Sequence, residues 1–179
     1  LIPLYREHPP GASLQNFAKI RKLRFAVTTG LFALLILLSL LGPLLVDFLY
    51  DARYAPSGVI LVLVACAQMP LAVGLTYNHA ALASGNSRQF FVVTLIKASL
   101  MLSLMLLGTY FFGMAGAIGG QAAAQVLALP ANIWIARTHH AWDGLHDMVF
   151  LSLMVAFGGA AVWLHRTEVW DLIQNGVGG

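Results

Sequence analysis

The chain contains 179 residues, of which 59% are hydrophobic and only 9% are charged, and its mean hydropathy is +0.80. Soluble domains are about 45–50% apolar and about 25% charged, so this chain lacks the polar residues needed to cover a globule in water. The composition therefore excludes a large soluble domain and predicts a membrane protein. The single cysteine, Cys66, excludes a disulfide framework and a cysteine-based metal cluster.

Five apolar segments have about the length of a membrane-spanning helix, which needs about 20 apolar residues. We predict an all-α transmembrane bundle with spans over residues 25–48, 56–82, 90–112, 117–136 and 148–164. The runs are continuously apolar and do not alternate, so a transmembrane β-barrel is not expected. Because only the short turn 113–116 separates the third and fourth spans, these two helices should be antiparallel neighbours.

The flanking segments are polar. Residues 1–24 are predicted to hold the end of a preceding helix followed by a basic cytoplasmic segment, and residues 165–179 a polar C-terminal tail. The chain starts at Leu1 and its first residues are apolar, so we expect it to be a fragment of a longer protein. Trp142 and other aromatic residues near span ends are predicted to be anchors at the membrane interface.

Lysine and arginine predict the orientation, because cytoplasmic loops carry an excess of both. If the start of the chain is cytoplasmic, seven of these residues lie on that side and two on the other. The seven are Arg6, Lys19, Arg21, Lys22, Arg24, Arg88 and Arg137, and the two are Arg53 and Arg166. We therefore predict a multi-pass protein of the cell inner membrane with a cytoplasmic N-terminal segment.

Lys97 is the ionisable residue that lies well inside a predicted span. A central Lys costs about 2.5–3.5 kcal/mol on translocon scales, and such residues usually face a bundle interior or a wet cavity. Lys97 is also only about 10 Å from the start of its helix, so its long stem can snorkel to the headgroups. Both interpretations remain open from the sequence.

Amide side chains mark two of the spans. Gln121 and Gln125 share one face of the fourth span, beside a ridge of small residues formed by Gly116 and Gly120. Small residues let helices approach closely, and amides hydrogen-bond between helices in lipid, so packing is favoured over a substrate-facing stripe. The same alternatives apply on the second span to Gln68 and Asn78.

Several features that resemble catalytic or ligand sites have simpler interpretations. The loop with His139, His140, Asp143, His146 and Asp147 has metal-ligand residue types without zinc-site spacing, so we predict a solvated cytoplasmic loop. Pro56, Ser57 and Gly58 are followed by Val59, where lipid phosphatases have a His. We therefore predict no enzymatic activity, no metal and no cofactor.

The basic segment Lys19–Arg24 directly precedes the first span. Basic clusters in this position bind anionic lipid and set topology, so membrane lipid is the predicted partner and nucleic acid is not.

Four segments carry a likeness to a known family. They are Leu1–Pro3 before the basic segment, Phe48–Ala55 (FLYDARYA), Ala80–Arg88 (AALASGNSR) and Tyr110–Ala124 (YFFGMAGAIGGQAAA). In order and spacing they resemble the C-terminal half of lipid-linked oligosaccharide flippases, the polysaccharide-biosynthesis members of the multidrug/oligosaccharidyl-lipid/polysaccharide exporter superfamily. Two departures are Asp51, where Gly is commoner, and an extra Phe before Gly113.

The resemblance implies most of one lobe of a two-lobe transporter, whose partner is the remaining N-terminal lobe of the same protein. Alternating access would carry an undecaprenyl-linked glycan through a cavity between the lobes. In that picture Lys97, and secondarily Arg24, would attract the pyrophosphate of the lipid carrier. The sugar-binding candidates are Gln68, Asn78, Gln121 and Gln125.

Two other functions remain open. A cation-coupled multidrug exporter of the same superfamily would be expected to bury an acidic residue in a span, and the nearest candidate is Asp47 at a predicted outer helix end. A non-catalytic integral membrane subunit is the third possibility.

Overall fold

The computed structural model describes residues 2–177, except the side chains of residues 2, 4, 52, 55, 78 and 175–177. The described chain is 88% helical without strands, which confirms the predicted all-α fold. The helices are α1 (Ile2–Glu7), α2 (Leu14–Leu49), α3 (Ala55–Gly74), α4 (Asn78–Ala83), α5 (Ser87–Leu127), α6 (Leu129–Thr138), α7 (Gly144–Leu164) and α8 (Arg166–Val177), with a short 3-10 turn at Ala52–Tyr54.

Four segments are long and apolar enough to cross a membrane, namely Leu14–Leu49, Pro56–Ala83, Ser87–Thr138 and Gly144–Leu164. The protein is therefore a membrane-spanning helical bundle. The third segment has 52 residues. A straight helix of that size would be about 78 Å long, far more than the hydrocarbon thickness of about 30 Å. The segment therefore has to bend.

The bend is a helical hairpin within α5. Phe112 and Gly113 leave the helical conformation, and Gly113 has a φ of +57°, which glycine adopts without steric cost. Beyond this point Gly116 packs against the backbone of Gly108, and Gly120 against that of Leu104. The two arms, residues 87–111 and 114–127, are thus antiparallel, as the short turn predicts. The first arm corresponds to the predicted span 90–112. The second arm corresponds only to the first part of the predicted span 117–136, because the helix is interrupted at Ala128 and the remainder lies in α6.

The core lies between α2, α3 and α7. Phe32, Met69, Val73 and Phe150 are buried together there. Near the other end of α2, a methyl group added at Gly58 would lie 2.7 Å from the Cα atom of Pro43, so α2 and α3 touch at the backbone. This compact core leaves the α5 hairpin outside it, since only 6% of the most apolar stretch of Ser87–Thr138 is buried.

The structure differs from the predicted boundaries in three places. The predicted second span is interrupted by a turn at residues 75–77, between α3 and α4. The basic segment is helical, because Ser13 caps α2 by accepting a hydrogen bond from the Asn16 N–H at 3.1 Å. The predicted polar tail forms α8, whose Trp170 and Ile173 line an apolar groove with the hairpin.

Candidate functional site: a buried ion network at one end of the bundle

A network of polar side chains fills the core at the end of the bundle where α2 begins. It joins α2, the turn at 75–77, the connection at 139–143 and the first turn of α7. Arg24 is only 1% exposed, His146 is 0% exposed and Asp147 is 7% exposed. Charged groups this deeply buried require paired or hydrogen-bonded partners.

Arg24 lies at the centre of this network. Its Nε donates to the Thr76 hydroxyl at 3.0 Å, and one Nη atom donates to the carbonyl of Ala141 at 2.9 Å. The other Nη lies 3.3 Å from Nδ1 of His146. The guanidinium also stacks on the ring of Tyr77, 3.9 Å from its centroid. Arg24 therefore connects α2 to three other parts of the chain.

Asp147 is the anion of the network. Its Oδ1 lies 3.8 Å from the Arg24 guanidinium and accepts a hydrogen bond of 2.7 Å from the hydroxyl of Tyr77. Its Oδ2 accepts one of 3.2 Å from the indole N–H of Trp142. The carboxylate thus has a partner on each oxygen, which offsets the cost of burying it.

His146 has two possible proton positions. Its Nδ1 lies between Arg24 and Asp147, at 3.3 Å and 3.1 Å, and its Nε2 lies 3.0 Å from the hydroxyl of Thr28. In one tautomer Nδ1 accepts from Arg24 and Nε2 donates to Thr28. In the other, Nδ1 donates to Asp147 and Nε2 accepts from Thr28. The arrangement can therefore hold a proton on either nitrogen without leaving the ring unpaired.

Asp143 forms a second ion pair beside the network. Its Oδ1 caps α7 by accepting from the backbone N–H of His146 at 3.3 Å, and its Oδ2 lies 3.0 Å from Nε of Arg21. The backbone N–H of Asp143 donates to the hydroxyl of Tyr77 at 3.4 Å. The capped start of α7 is thereby fixed against α2 and the 75–77 turn.

The prediction of a solvated loop was wrong for three of its five residues. Asp143, His146 and Asp147 are buried, because the loop folds inward and the first turn of α7 continues the buried face that holds Phe150. Only His140 is exposed. Trp142, predicted as an interface anchor, is exposed and donates its indole N–H to Asp147 of the network, so its role as an anchor stays a prediction.

The predicted substrate-binding residues lie in different parts of the molecule. Arg24 belongs to the ion network on α2, which packs mainly on α3 and α7. Lys97, Gln68, Gln121 and Gln125 are half-buried on α3 and α5, and Oε1 of Gln68 has no hydrogen-bond partner among the described residues. The side chain of Asn78 lies outside the described residues. Whether any of these residues binds substrate stays a prediction.

The hairpin brings three of these residues to a similar depth. Its glycine contacts pair Gly108 with Gly116 and Leu104 with Gly120. Extending this antiparallel register places Gln125 within about one helical turn of Lys97 along the hairpin axis, and Gln121 about one turn further on. A cation and two amides therefore occupy one section of a membrane-embedded hairpin.

Two histidines of the predicted loop lie beside the network rather than inside it. His139 and His140 end α6 and line a cleft of about 480 Å³ together with Arg6. Nε2 of His139 lies 2.8 Å from Oε1 of Gln89, which connects α6 to the start of α5. Burial, and then the neighbouring His140, lower the pKa of His139 below its ordinary value of 6.5.

We expect this histidine to make the protein less stable in acid. The unfolded chain binds a proton at the ordinary His pKa, whereas folded His139 binds it only at a lower pH. The contribution of neutral His139 to the free energy of unfolding is thus fully present above about pH 6.5. It is lost as the pH falls toward the pKa of His139 in the folded protein. Between pH 8 and pH 5, the melting temperature of His139→Gln should fall less than that of the natural protein.

His140→Asn is the matched variant. Asn tolerates the left-handed backbone of His140, where φ is 53°. The change removes the charge repulsion but keeps the burial of His139, so an intermediate pH dependence is expected. If the melting temperature of His139→Gln fell as much as that of the natural protein, His139 would not be a cause of the lower stability in acid.

No described group of three or more His, Cys, Asp or Glu side chains is arranged to hold a metal ion. The contacts that the network shows are ion pairs and hydrogen bonds among Arg24, His146 and Asp147.

Comparisons of the chain with protein-family models, with curated proteins and with solved structures find no match. The fold and the site together define an integral membrane protein with a buried ion network at the end of the bundle where α2 begins. The resemblance to flippases depends on the four sequence segments described above.

Proposed function

We propose that this chain is part of a membrane transporter whose substrate is an undecaprenyl-linked oligosaccharide or polysaccharide repeat unit, flipped across the inner membrane by alternating access. The observation that carries this proposal is the half-buried Lys97 within about one helical turn of Gln125 along the hairpin axis, with Gln121 about one turn further on. A phosphate attached to sugars needs a cation and neutral hydrogen-bonding groups, and this hairpin supplies both inside the membrane.

In this proposal the end of the bundle that holds the ion network faces the cytoplasm. The support is the excess of Lys and Arg at the start of the chain and in the connections that share this end. A phosphorylated carrier made in the cytoplasm would then enter from the basic side of the bundle.

Replacing Lys97 with alanine should reduce glycan export in cells that carry the full-length protein. A hydrogen bond to a charged group contributes about 1.5–3 kcal/mol, so export should fall about tenfold or more. Lys97→Arg should retain part of the activity, because it keeps the charge. Surface glycan, normalised to the amount of protein in the membrane, is the measurement.

Arg88→Ala is the matched control, since it removes an exposed cation from the first turn of the same helix. It should leave export unchanged. Normal export by Lys97→Ala would mean that Lys97 snorkels to the headgroups and does not contact substrate.

A cation-coupled multidrug exporter of the same superfamily is the second candidate, and we consider the proton as its coupling ion. Asp47 is exposed, but Asp147 is a buried acid beside His146, which is the kind of group that ion coupling needs. Proteoliposomes with an imposed pH gradient distinguish the two functions. Uptake of a cationic dye that is abolished by Asp147→Asn in protein that remains folded, and that is unaffected by the exposed control Asp171→Asn, would favour the exporter.

A further inference from the structure

The basic segment at the start of α2 divides between two faces of the helix. On the face toward α7, the buried Arg24 pairs with Asp147, and Arg21, whose side chain is 38% exposed, pairs with Asp143. Lys19 and Lys22 remain exposed on the outer face. The two arginines are therefore already neutralised by this chain, and the outward lysines are the part of the segment that is available to another molecule.

These two lysines line a groove of about 490 Å³. The described residues around it are His8, Lys19, Lys22, Leu23 and Ala26. Positions 19, 22, 23 and 26 follow one helical face, so the groove runs along α2. It is basic at Lys19 and Lys22 and apolar at Leu23 and Ala26, in the direction of the apolar part of α2.

The contacts around the groove leave its positive charge unneutralised by the described residues. Nδ1 of His8 lies 2.9 Å from the carbonyl oxygen of Glu7, and this contact requires the proton on Nδ1. Nε2 then accepts from Nζ of Lys19, 3.5 Å away, which positions the ammonium at the mouth of the groove. No described acidic side chain forms an ion pair with either lysine.

We propose that this groove binds an anionic phospholipid, with Lys19 and Lys22 on the headgroup phosphate and an acyl chain along Leu23 and Ala26. The groove combines two cations at the membrane surface with an apolar path that leads into the bilayer. This is the charge and polarity pattern of a phospholipid with a net negative headgroup. The inference requires only that α2 crosses the membrane, so it does not depend on the proposed transport function.

The test uses the full-length protein in nanodiscs of phosphatidylcholine with a minor fraction of phosphatidylglycerol. Native mass spectrometry counts the phosphatidylglycerol molecules that stay bound. The Lys19→Gln/Lys22→Gln double variant should bind this lipid about thirtyfold more weakly, which corresponds to a loss of about 1 kcal/mol for each lysine near an anionic surface. Lys19→Arg/Lys22→Arg should bind as the natural chain does.

The matched control is Arg6→Gln/Arg88→Gln, which removes two exposed cations from the same end of the bundle but outside the groove. It should keep phosphatidylglycerol binding within about twofold of the natural chain. An equal loss in both double variants would overturn the site, since binding would then follow total charge.

Two further outcomes would also overturn the proposal. If inorganic phosphate displaces phosphatidylglycerol in the natural protein, the groove is a site for a soluble anion. If phosphatidylcholine is retained as strongly as phosphatidylglycerol, the lysines do not select the headgroup. Melting temperatures of all variants in pure phosphatidylcholine should match that of the natural protein, because both lysines are exposed.

Discussion

Asp147→Ala will lower the free energy of unfolding by about 3–5 kcal/mol, because it leaves the buried guanidinium of Arg24 without its anion. Arg24 is 1% exposed and cannot reach water without opening the core. Tyr77 and Trp142 lose the acceptor for a hydrogen bond in the same change. Unfolding of the purified protein by sodium dodecyl sulfate in mixed micelles measures this effect.

The matched control is Asp171→Ala on α8, where the carboxylate is exposed. It should change the stability by less than about 0.5 kcal/mol. Replacing both charges, as in Arg24→Met/Asp147→Leu, should restore much of the loss, since an apolar pair avoids the unpaired charge. If Asp147→Ala were as stable as Asp171→Ala, Asp147 would not pair with the buried Arg24 when the protein is in the membrane.

Gly120→Ala will destabilise the α5 hairpin by about 1–3 kcal/mol or more, although alanine is the better helix former. The added methyl group would overlap the carbonyl of Leu104 on the other arm. That neighbour is backbone, so the strain is relieved only if the two arms separate. Gly116→Ala should act in the same way, because its methyl group would overlap the carbonyl of Gly108.

Gly119→Ala is the control, one residue away on the same arm. A methyl group there has no atom within 4 Å, so the change should be neutral or should stabilise by up to about 1 kcal/mol. Melting of the three single variants in the same detergent gives the comparison. Equal melting temperatures for Gly119→Ala and Gly120→Ala would show that the arms do not touch at these glycines.

The helical fold could be predicted because each element leaves a local signal. Long apolar runs predict membrane helices, and the glycine-rich turn before Gly116 predicts antiparallel neighbours. The break at Tyr77 was missed because the residues around it are apolar enough to continue a helix. The helical form of the basic segment was missed because its signal, the Ser13 cap, lies well before the apolar run.

The ion network could not be predicted because its partners are far apart in the chain. Arg24 and His146 are 122 positions apart, and nothing local connects them. A weaker signal does exist, since Ile20, Arg24, Thr28 and Phe32 recur every four residues and are all buried. Reading Arg24 as the continuation of an apolar face, rather than as one more residue of a basic segment, would have predicted that it points inward.

The spacing of the network also sets an order of events during biosynthesis. Ala141 and His146 follow Arg24 by 117 and 122 positions. At about 5–20 residues per second, the ribosome reaches them roughly 6–25 s after it has added Arg24. During this interval Arg24 has none of these later partners, and a charged residue beside an apolar span stays at the membrane surface. The contacts of this guanidinium with Ala141 and His146 can therefore form only after α7 has been synthesised, so the ion network is completed late in biosynthesis.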